Sequence, residues 1–145
     1  MKTKLIVILF IMCMLLTGCN FESKISSEYK GDTATTSSIS IKDGTLTPTS
    51  VTITISDTNY NDKYSMEFWI YKKDADKWNL IDPIQKKIEW ETRLYFVDDN
   101  GNLELNQNWQ DIYGELDKGK YKLVKYVTDS KNNNSCTISV DFNIE

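Results

Sequence analysis

Hydrophobic and polar residues alternate strictly along two stretches of the chain. In the first, Val51, Ile53 and Ile55 are separated by threonines. In the second, residues 136–144, every even position is apolar and every odd position is polar. Because successive side chains of a β-strand point to opposite faces, both stretches are predicted to be strands with one buried face.

Further strands are predicted between these two. Residues 66–73 and 77–81 flank a short DAD segment and are typical of a hairpin. Residues 88–96 predict another strand, which ends at the turn-forming sequence DDNGN, and residues 120–127 predict one more. About seven short antiparallel strands over residues 39–145 predict an all-β domain in which two sheets pack face to face.

The first 18 residues have the order of an export signal. Two lysines within residues 1–4 precede an apolar core at 5–16, which is shorter than the roughly 20 residues of a membrane-spanning helix. The sequence LTGC at 16–19 resembles the bacterial lipobox. This resemblance implies removal of the signal peptide 1–18 and attachment of a diacylglyceryl lipid to Cys19. Two acyl chains give stable anchoring, so we expect a lipid-anchored protein on the extracytoplasmic face of the cell membrane.

The predicted mature chain is acidic. Removal of two signal lysines from a total of 17 basic residues leaves 15, against 21 acidic residues, for a net charge of about −6. Such a surface repels phosphate backbones and anionic headgroups, which argues against nucleic acid as a partner and leaves membrane contact to the lipid. Residues 19–38 are predicted to be the lipidated cysteine and a flexible tether, because their polar, aperiodic sequence buries little apolar surface.

A local motif sharpens the fold prediction. In the segment 116–126, Asp117, Gly119 and Tyr121 have the D-x-G-x-Y spacing that resembles the tyrosine corner of immunoglobulin domains. That resemblance implies a hydrogen bond from the tyrosine hydroxyl to the backbone a few residues upstream. It also implies that Leu123 takes the place of the second core cysteine, and that Trp69 is a candidate for the core tryptophan.

Residues 39–145 as a whole resemble the bacterial immunoglobulin-like domain of small Gram-positive lipoproteins. The shared pattern is an alternating strand, an aromatic strand, a hairpin closed by a tryptophan, and a Y-G-x-L-x-x-G-x-Y segment before a basic strand. The matching positions are Val51, Ile53, Phe68, Ile70, Trp78, Tyr113, Gly114, Leu116, Gly119, Tyr121 and Leu123. The resemblance implies an immunoglobulin-like β-sandwich.

Two features depart from that pattern. The acidic and amide-rich segment 97–108 is unusually long, and we interpret it as an inserted hairpin. Lys125 falls on the same face of its predicted strand as Tyr121 and Leu123, which suggests a bulge or a strand end.

The sequence offers little catalytic chemistry. It has no histidine, which removes the commonest general base and imidazole metal sites. Cys136 is predicted to be a small core residue. The DDNGN sequence begins like a calcium loop but lacks the glycine and the final glutamate of that loop, so we interpret it as a hairpin turn. We expect no enzyme, no metal and no cofactor other than the covalent lipid.

Binding remains the open question. Trp90 and Trp109 are candidate binding aromatics, although Trp109 could instead pack beneath Tyr113 and Trp90 could cover a sheet edge. The leading hypothesis is a noncatalytic surface module that contacts a protein or an envelope component. A carbohydrate-binding sandwich would need coplanar exposed rings, and a proteinase inhibitor would need a protruding loop, for which residues 82–87 and 130–135 are candidates.

Overall fold

The structure is a computed structural model that describes residues 26–34, 36–131 and 133–145. The predicted signal peptide 1–18 and Cys19 lie outside the described residues. Within the described ranges, no helix is both long enough and apolar enough to cross a bilayer.

Strands are the main regular structure of the described chain, and one short helix interrupts them. In chain order the elements are β1 (Ser37–Ile41), β2 (Ser50–Asp57), β3 (Lys63–Tyr64), β4 (Trp69–Asp74), β5 (Lys77–Leu80), β6 (Asn102–Asn108), α1 (Gln110–Tyr113), β7 (Gly119–Thr128) and β8 (Ser135–Ile144).

Two antiparallel sheets form a sandwich. In the three-stranded sheet, β2 lies between β1 and β6. In the five-stranded sheet, β8 pairs along the whole of β7, whereas β3 and β4 pair with different stretches of its other edge, and β5 lies outside β4. The predicted all-β sandwich is confirmed.

The core lies between the two sheets, where the alternating residues meet. Val51, Ile53 and Ile55 of β2 are fully buried, and Ile70 and Leu123 are fully buried on the facing sheet. Burial of each such side chain contributes about 1.5–3 kcal/mol. In β8 the even positions Ile138, Phe142 and Ile144 are buried as predicted, whereas Cys136 and Val140 are only partly buried.

The region between β5 and β6 differs from the prediction. Residues 88–96 do not form a strand, since Tyr95 alone makes a β-bridge, with Tyr64. The interpretation of residues 97–108 as an inserted hairpin is also wrong, because β6 pairs along β2 and completes the smaller sheet. Its amide-rich sequence hid this role: Leu105 and Gln107 are buried, and the polar side chains that alternate with them along β6 are exposed.

The tyrosine corner has the geometry that the spacing predicts. The Tyr121 hydroxyl donates a hydrogen bond of 2.8 Å to the carbonyl of Asp117. Leu123 is fully buried, as expected for the position of a core cysteine. Trp69 is not the core tryptophan, because its strand turns Ile70 inward and leaves Trp69 half-buried on the outer face. Trp109, which is fully buried, takes that place instead.

Residues 26–34 form a strap across the outer face of the five-stranded sheet. At one edge, the strap pairs with β5: Leu80 N–H donates to the carbonyl of Ser27 at 2.9 Å, and Tyr29 N–H donates to the carbonyl of Trp78 at 3.2 Å. At the other edge, Thr33 N–H donates to a β8 carbonyl at 3.0 Å. Part of the segment predicted as a flexible tether is therefore bound to the domain.

Candidate functional site

A cleft of about 610 Å³ opens beside the start of β4, where residues 81–97 cross the open side of the sandwich. Its floor is apolar and combines side chains from three parts of the chain. These floor residues are Met66, Phe68, Ile88, Trp90 and Ile112. A concave apolar site with a few polar groups around it is the usual form of a binding site.

Trp90 is held in the cleft by other aromatic rings. It packs edge-on against Phe68, with ring centroids 5.2 Å apart and planes at 62°, and against Trp69 at 5.9 Å and 75°. Edge-to-face pairs of this kind contribute about 0.5–1.5 kcal/mol beyond area burial. Trp90 therefore packs against the rings at the start of β4 and lines the cleft at the same time.

The loop over the cleft is tied to α1. Ile84 N–H donates to the carbonyl of Ile112 at 2.7 Å, and the Gln85 side-chain amide donates to the carbonyl of Asp111 at 2.7 Å. Ile84 itself points outward and is 67% exposed. Because both bonds end on the helix that follows β6, one wall of the cleft is fixed to the smaller sheet.

The rim of the cleft is acidic. Glu89, Glu91 and Asp111 line it, together with a single cation, Lys87. Lys87 and Glu89 form an ion pair of 3.0 Å in which both side chains are about four-fifths exposed, so its energetic contribution is small. Glu91 accepts a hydrogen bond from the Tyr95 hydroxyl at 3.1 Å. The lining therefore carries more carboxylates than cations.

Trp109, the other candidate binding aromatic, is unavailable to a ligand. It has no exposed surface, its indole N–H donates to the carbonyl of Pro48 at 2.8 Å, and its ring stacks on Phe142 at 5.6 Å. The hypothesis of an exposed binding role for Trp109 is wrong. Its indole satisfies a loop carbonyl while its ring fills the core, which leaves Trp90 as the aromatic candidate.

The segment around α1 closes one end of the sandwich. Tyr113 and Leu116 are buried, and Leu116 N–H donates to the carbonyl of Pro48 at 2.9 Å. Gly114 ends α1 at a φ of 75°, a left-handed conformation that glycine adopts without strain. Gly119 begins β7 two residues before Tyr121. These matching positions therefore serve the fold, and the cleft is built from other residues.

Lys125 is a buried cation that the sequence analysis explained wrongly. β7 has no bulge here, and the side chain, which has no exposed surface, points into the sandwich. Its Nζ donates to the carbonyls of Ser65 and Glu67 at 2.8 and 2.9 Å and to Gln107 Oε1 at 3.2 Å. Burial lowers the pKa of Lys125 to about 7, against the opposing effect of the Glu67 charge.

The position of Lys125 has a structural reason. Ser65 and Glu67 lie in the gap between β3 and β4, where the strand that pairs with β7 is interrupted. The ammonium group supplies donors to these carbonyls in place of a sheet ladder. The sequence feature that could have indicated this buried polar contact is the pair Lys125 and Gln107, two polar residues at inward positions of two strands.

The outer face of the five-stranded sheet has a group of lysines around Trp78. The Nζ atoms of Lys73, Lys120 and Lys122 lie 5.6, 5.8 and 4.6 Å from the centre of the Trp78 ring. Asp141 forms ion pairs with Lys120 and Lys122. Burial opposes ionisation of Asp141, but the hydrogen bonds and charges of the two lysines outweigh it and lower its pKa.

The DDNGN sequence forms a turn, as predicted, but not a hairpin turn, because no strand precedes it between β5 and β6. Asp98 Oδ1 accepts hydrogen bonds of 2.9 Å from the N–H groups of Asn100 and Asn102, which engages this carboxylate with the backbone. Gly101 has a φ of 77°, and a Cβ at this position would lie 2.7 Å from the carbonyl oxygen of Asp57. Among the described residues, no group of three or more acidic, cysteine or histidine side chains is placed to hold a metal ion.

Comparison with known protein families identifies a family for this chain. No similar chain was found among curated proteins or among solved structures. The bacterial Ig-like domain family matches residues 33–143, which is more than half of the chain and includes the strands of both sheets. This match agrees with the antiparallel sandwich and with the corner at Tyr121. The chain belongs to the bacterial Ig-like domain family.

Proposed function

We propose that this protein is a lipid-anchored, noncatalytic surface module that binds a protein component of the cell envelope or its surroundings through the cleft at Trp90. The observation that supports this binding site is the cleft itself, with its apolar floor, its aromatic side chain and its polar rim. Bacterial Ig-like domains are generally noncatalytic, which supports a binding role.

The anchor is proposed from the sequence. The LTGC segment at 16–19 follows a short apolar core, and a diacylglyceryl group on Cys19 would hold the chain at the extracytoplasmic face of the membrane. Substitution of Cys19→Ala is expected to block processing or to release the chain from membranes. Fractionation followed by mass spectrometry of the mature amino terminus tests this. A wild-type mature chain without lipid would refute the anchor.

The arrangement of rings favours a protein ligand over a carbohydrate. A sugar-stacking platform needs two or three coplanar exposed rings, but the Trp90 plane is inclined by 62° to Phe68 and by 75° to Trp69. Protein interfaces are typically centred on an aromatic anchor in a partly apolar pocket with a polar rim. The cleft has this composition.

Chemical cross-linking on intact cells, followed by capture of the mature protein, tests the cleft. Substitution of Trp90→Ala is expected to reduce recovery of the partner about tenfold or more, the loss typical of an interface hot spot. Tyr60→Ala is the matched control, because Tyr60 is an aromatic with 51% exposure outside the cleft lining. Equal recovery by the wild type and a folded Trp90→Ala variant would refute the cleft as the binding site.

A proteinase inhibitor is a second candidate because of the loop 82–87. Ile84 is strongly exposed while its own backbone is hydrogen-bonded to α1, so an apolar side chain is presented on a restrained loop. In the described part of the other candidate loop, 130–135, Asn133 N–H donates to the carbonyl of Asp129 at 2.8 Å, which ties the loop back to the end of β7. Assays against a panel of proteases test this function. A panel without inhibition, or equal inhibition by Ile84→Ala, would exclude this loop mechanism.

A further inference from the structure

We propose that the outer face of the five-stranded sheet around Trp78 rests on the surface of the membrane that anchors the chain. This inference depends on the proposed lipid at Cys19. It identifies a contact surface that is separate from the cleft at Trp90, because no residue around Trp78 lines that cleft.

The first argument is the reach of the chain. The strap begins at Ser26, whose carbonyl accepts a hydrogen bond of 2.9 Å from the Tyr71 hydroxyl, and it pairs with β5 from Ser27 onward. Seven peptide units separate Cys19 from Ser26. A fully extended chain of that length spans at most about 25 Å, which is less than the roughly 35 Å diameter of a compact domain of this size.

The strap is what makes this distance short. If residues up to β1 were a free tether, 18 peptide units would separate Cys19 from Ser37 and would reach about 60 Å. With the strap bound, the edge of the sheet formed by β5 is the part of the domain nearest to the lipid. The outer face next to that edge is therefore within reach of the bilayer surface.

The second argument is the composition of that face. Trp78 and Tyr29 lie there with Lys73, Lys120 and Lys122, and the Lys122 ammonium lies 5.1 Å from the Tyr29 ring and 4.6 Å from the Trp78 ring. Tryptophan and tyrosine are enriched where protein meets the membrane interface, and lysines are attracted to anionic headgroups. A chain of net negative charge thus presents several cations beside its anchor.

Acidic groups on the same face limit this charge without cancelling it. Asp141 pairs with Lys120 and Lys122, and Asp32 of the strap accepts hydrogen bonds from Tyr29 and Ser139. Lys73 has no ion pair among the described residues, and the Lys120 side chain is 46% exposed. The face is weakly cationic, with its aromatic rings held between the lysines. A lipid surface that contains anionic headgroups fits this chemistry.

Two of the four tryptophans, Trp78 on the proposed contact face and Trp90 in the cleft, provide a direct test. The lipidated mature chain is reconstituted into vesicles that carry a shallow nitroxide quencher, made of phosphatidylcholine alone or of an equal mixture with phosphatidylglycerol. We expect tryptophan fluorescence to be quenched, the quenching to be largely lost in Trp78→Phe, and the quenching to persist in the matched variant Trp90→Phe. Thermal unfolding of both variants verifies that the fold is kept.

A charge variant tests the lysines. Lys73→Gln combined with Lys120→Gln is expected to reduce quenching on the vesicles with phosphatidylglycerol more than on those with phosphatidylcholine alone. Quenching that is the same in Trp78→Phe and the wild type, or absent from both, would overturn the proposal. So would equal quenching on the two vesicle types together with no effect of the lysine substitutions.

Flotation separates failure of the contact surface from failure of the anchor. Wild-type protein that stays in solution refutes the lipid at Cys19 and the inference that depends on it. Protein that floats with the vesicles but shows no quenching of Trp78 refutes only the contact surface.

Discussion

Each of the two faces of β7 holds a lysine ammonium group, and the two groups have different partners. Lys125 points into the sandwich and Lys122, three residues earlier, points to the outer face. The interior supplies Lys125 with two backbone carbonyls and an amide oxygen. The outer face supplies Lys122 with the rings of Tyr29 and Trp78 and with the carboxylate of Asp141.

The difference lies in how each environment treats charge. Inside, the three acceptors are neutral, so burial outweighs them and the pKa of Lys125 is lowered to about 7. Outside, Lys122 faces a full negative charge and retains some contact with water, since 13% of its side chain is exposed. The interior therefore makes Lys125 sensitive to pH near neutrality, whereas the outer face supports ordinary ion pairing.

The largest expected effect is on the inner face. Trp109→Ala removes a fully buried ring that stacks on Phe142, and we expect a loss of about 3–5 kcal/mol in the free energy of unfolding. Urea denaturation measures it. Trp78→Ala on the outer face is the control, with a clearly smaller expected loss because Trp78 is only partly buried. Equal losses would contradict the distinction between the faces.

Lys125 predicts an unusual dependence of stability on pH. Its folded-state pKa of about 7 lies below the 10.5 of the unfolded chain, so between these values the unfolded state binds more protons and stability rises with pH. The slope approaches about 1.4 kcal/mol per pH unit. Denaturation from about pH 7 to 9.5 measures it, and Lys125→Met should flatten the curve.

Tyrosine ionisation sets the upper limit of the pH range in which the effect of Lys125 on stability can be measured. Burial raises the pKa of Tyr71 to about 12. Because the folded value lies above the unfolded value of 10.0, the stability contributed by this group is complete below pH 10 and is lost above it. Between about pH 7 and 9.5, a free energy of unfolding of the wild type that stays constant or decreases as the pH rises would contradict the role assigned to Lys125.

A smaller effect is expected at the tyrosine corner. Tyr121→Phe removes the hydrogen bond to the carbonyl of Asp117 and keeps the ring stacked on Phe142 at 5.5 Å. We expect a loss of about 0.5–1.5 kcal/mol. Differential scanning calorimetry measures the shift, and Tyr60→Phe, at an exposed position, is the matched control. An unchanged melting temperature in Tyr121→Phe would count against the stabilising role of this bond.

The smallest effect is expected on the outer face. Asp141→Asn removes the carboxylate that pairs with Lys120 and Lys122, and a partly exposed ion pair contributes at most about 1 kcal/mol. The difference from wild type should shrink as salt is added, because salt screens the pair. Melting temperatures at low and high salt measure it. A large loss that salt does not change would place Asp141 in a more buried network than the structure describes.

Particular residues show where sequence reasoning succeeded and where it failed. Strict alternation identified β2 and most of β8, since a period of two is a local property of a strand. Strand β6 was missed because its inward positions include Gln107, a polar residue that bonds Lys125. Trp90 was recognised as a candidate, but the cleft around it was not predictable, because its floor joins the segment between β3 and β4, the loop 81–97 and α1.

The sequence by itself determined the fold class and the tyrosine corner, because both follow from local spacing and from side-chain alternation. Tertiary structure alone decided which tryptophan fills the core, what surrounds Lys125 and where the strap lies. Each of these depends on contacts between residues far apart in the chain, and the energy of burying a polar or aromatic group depends on the partners it meets there. The alternation of hydrophobic and polar residues indicates which face of a strand is buried, but it does not indicate which residues pack against that face.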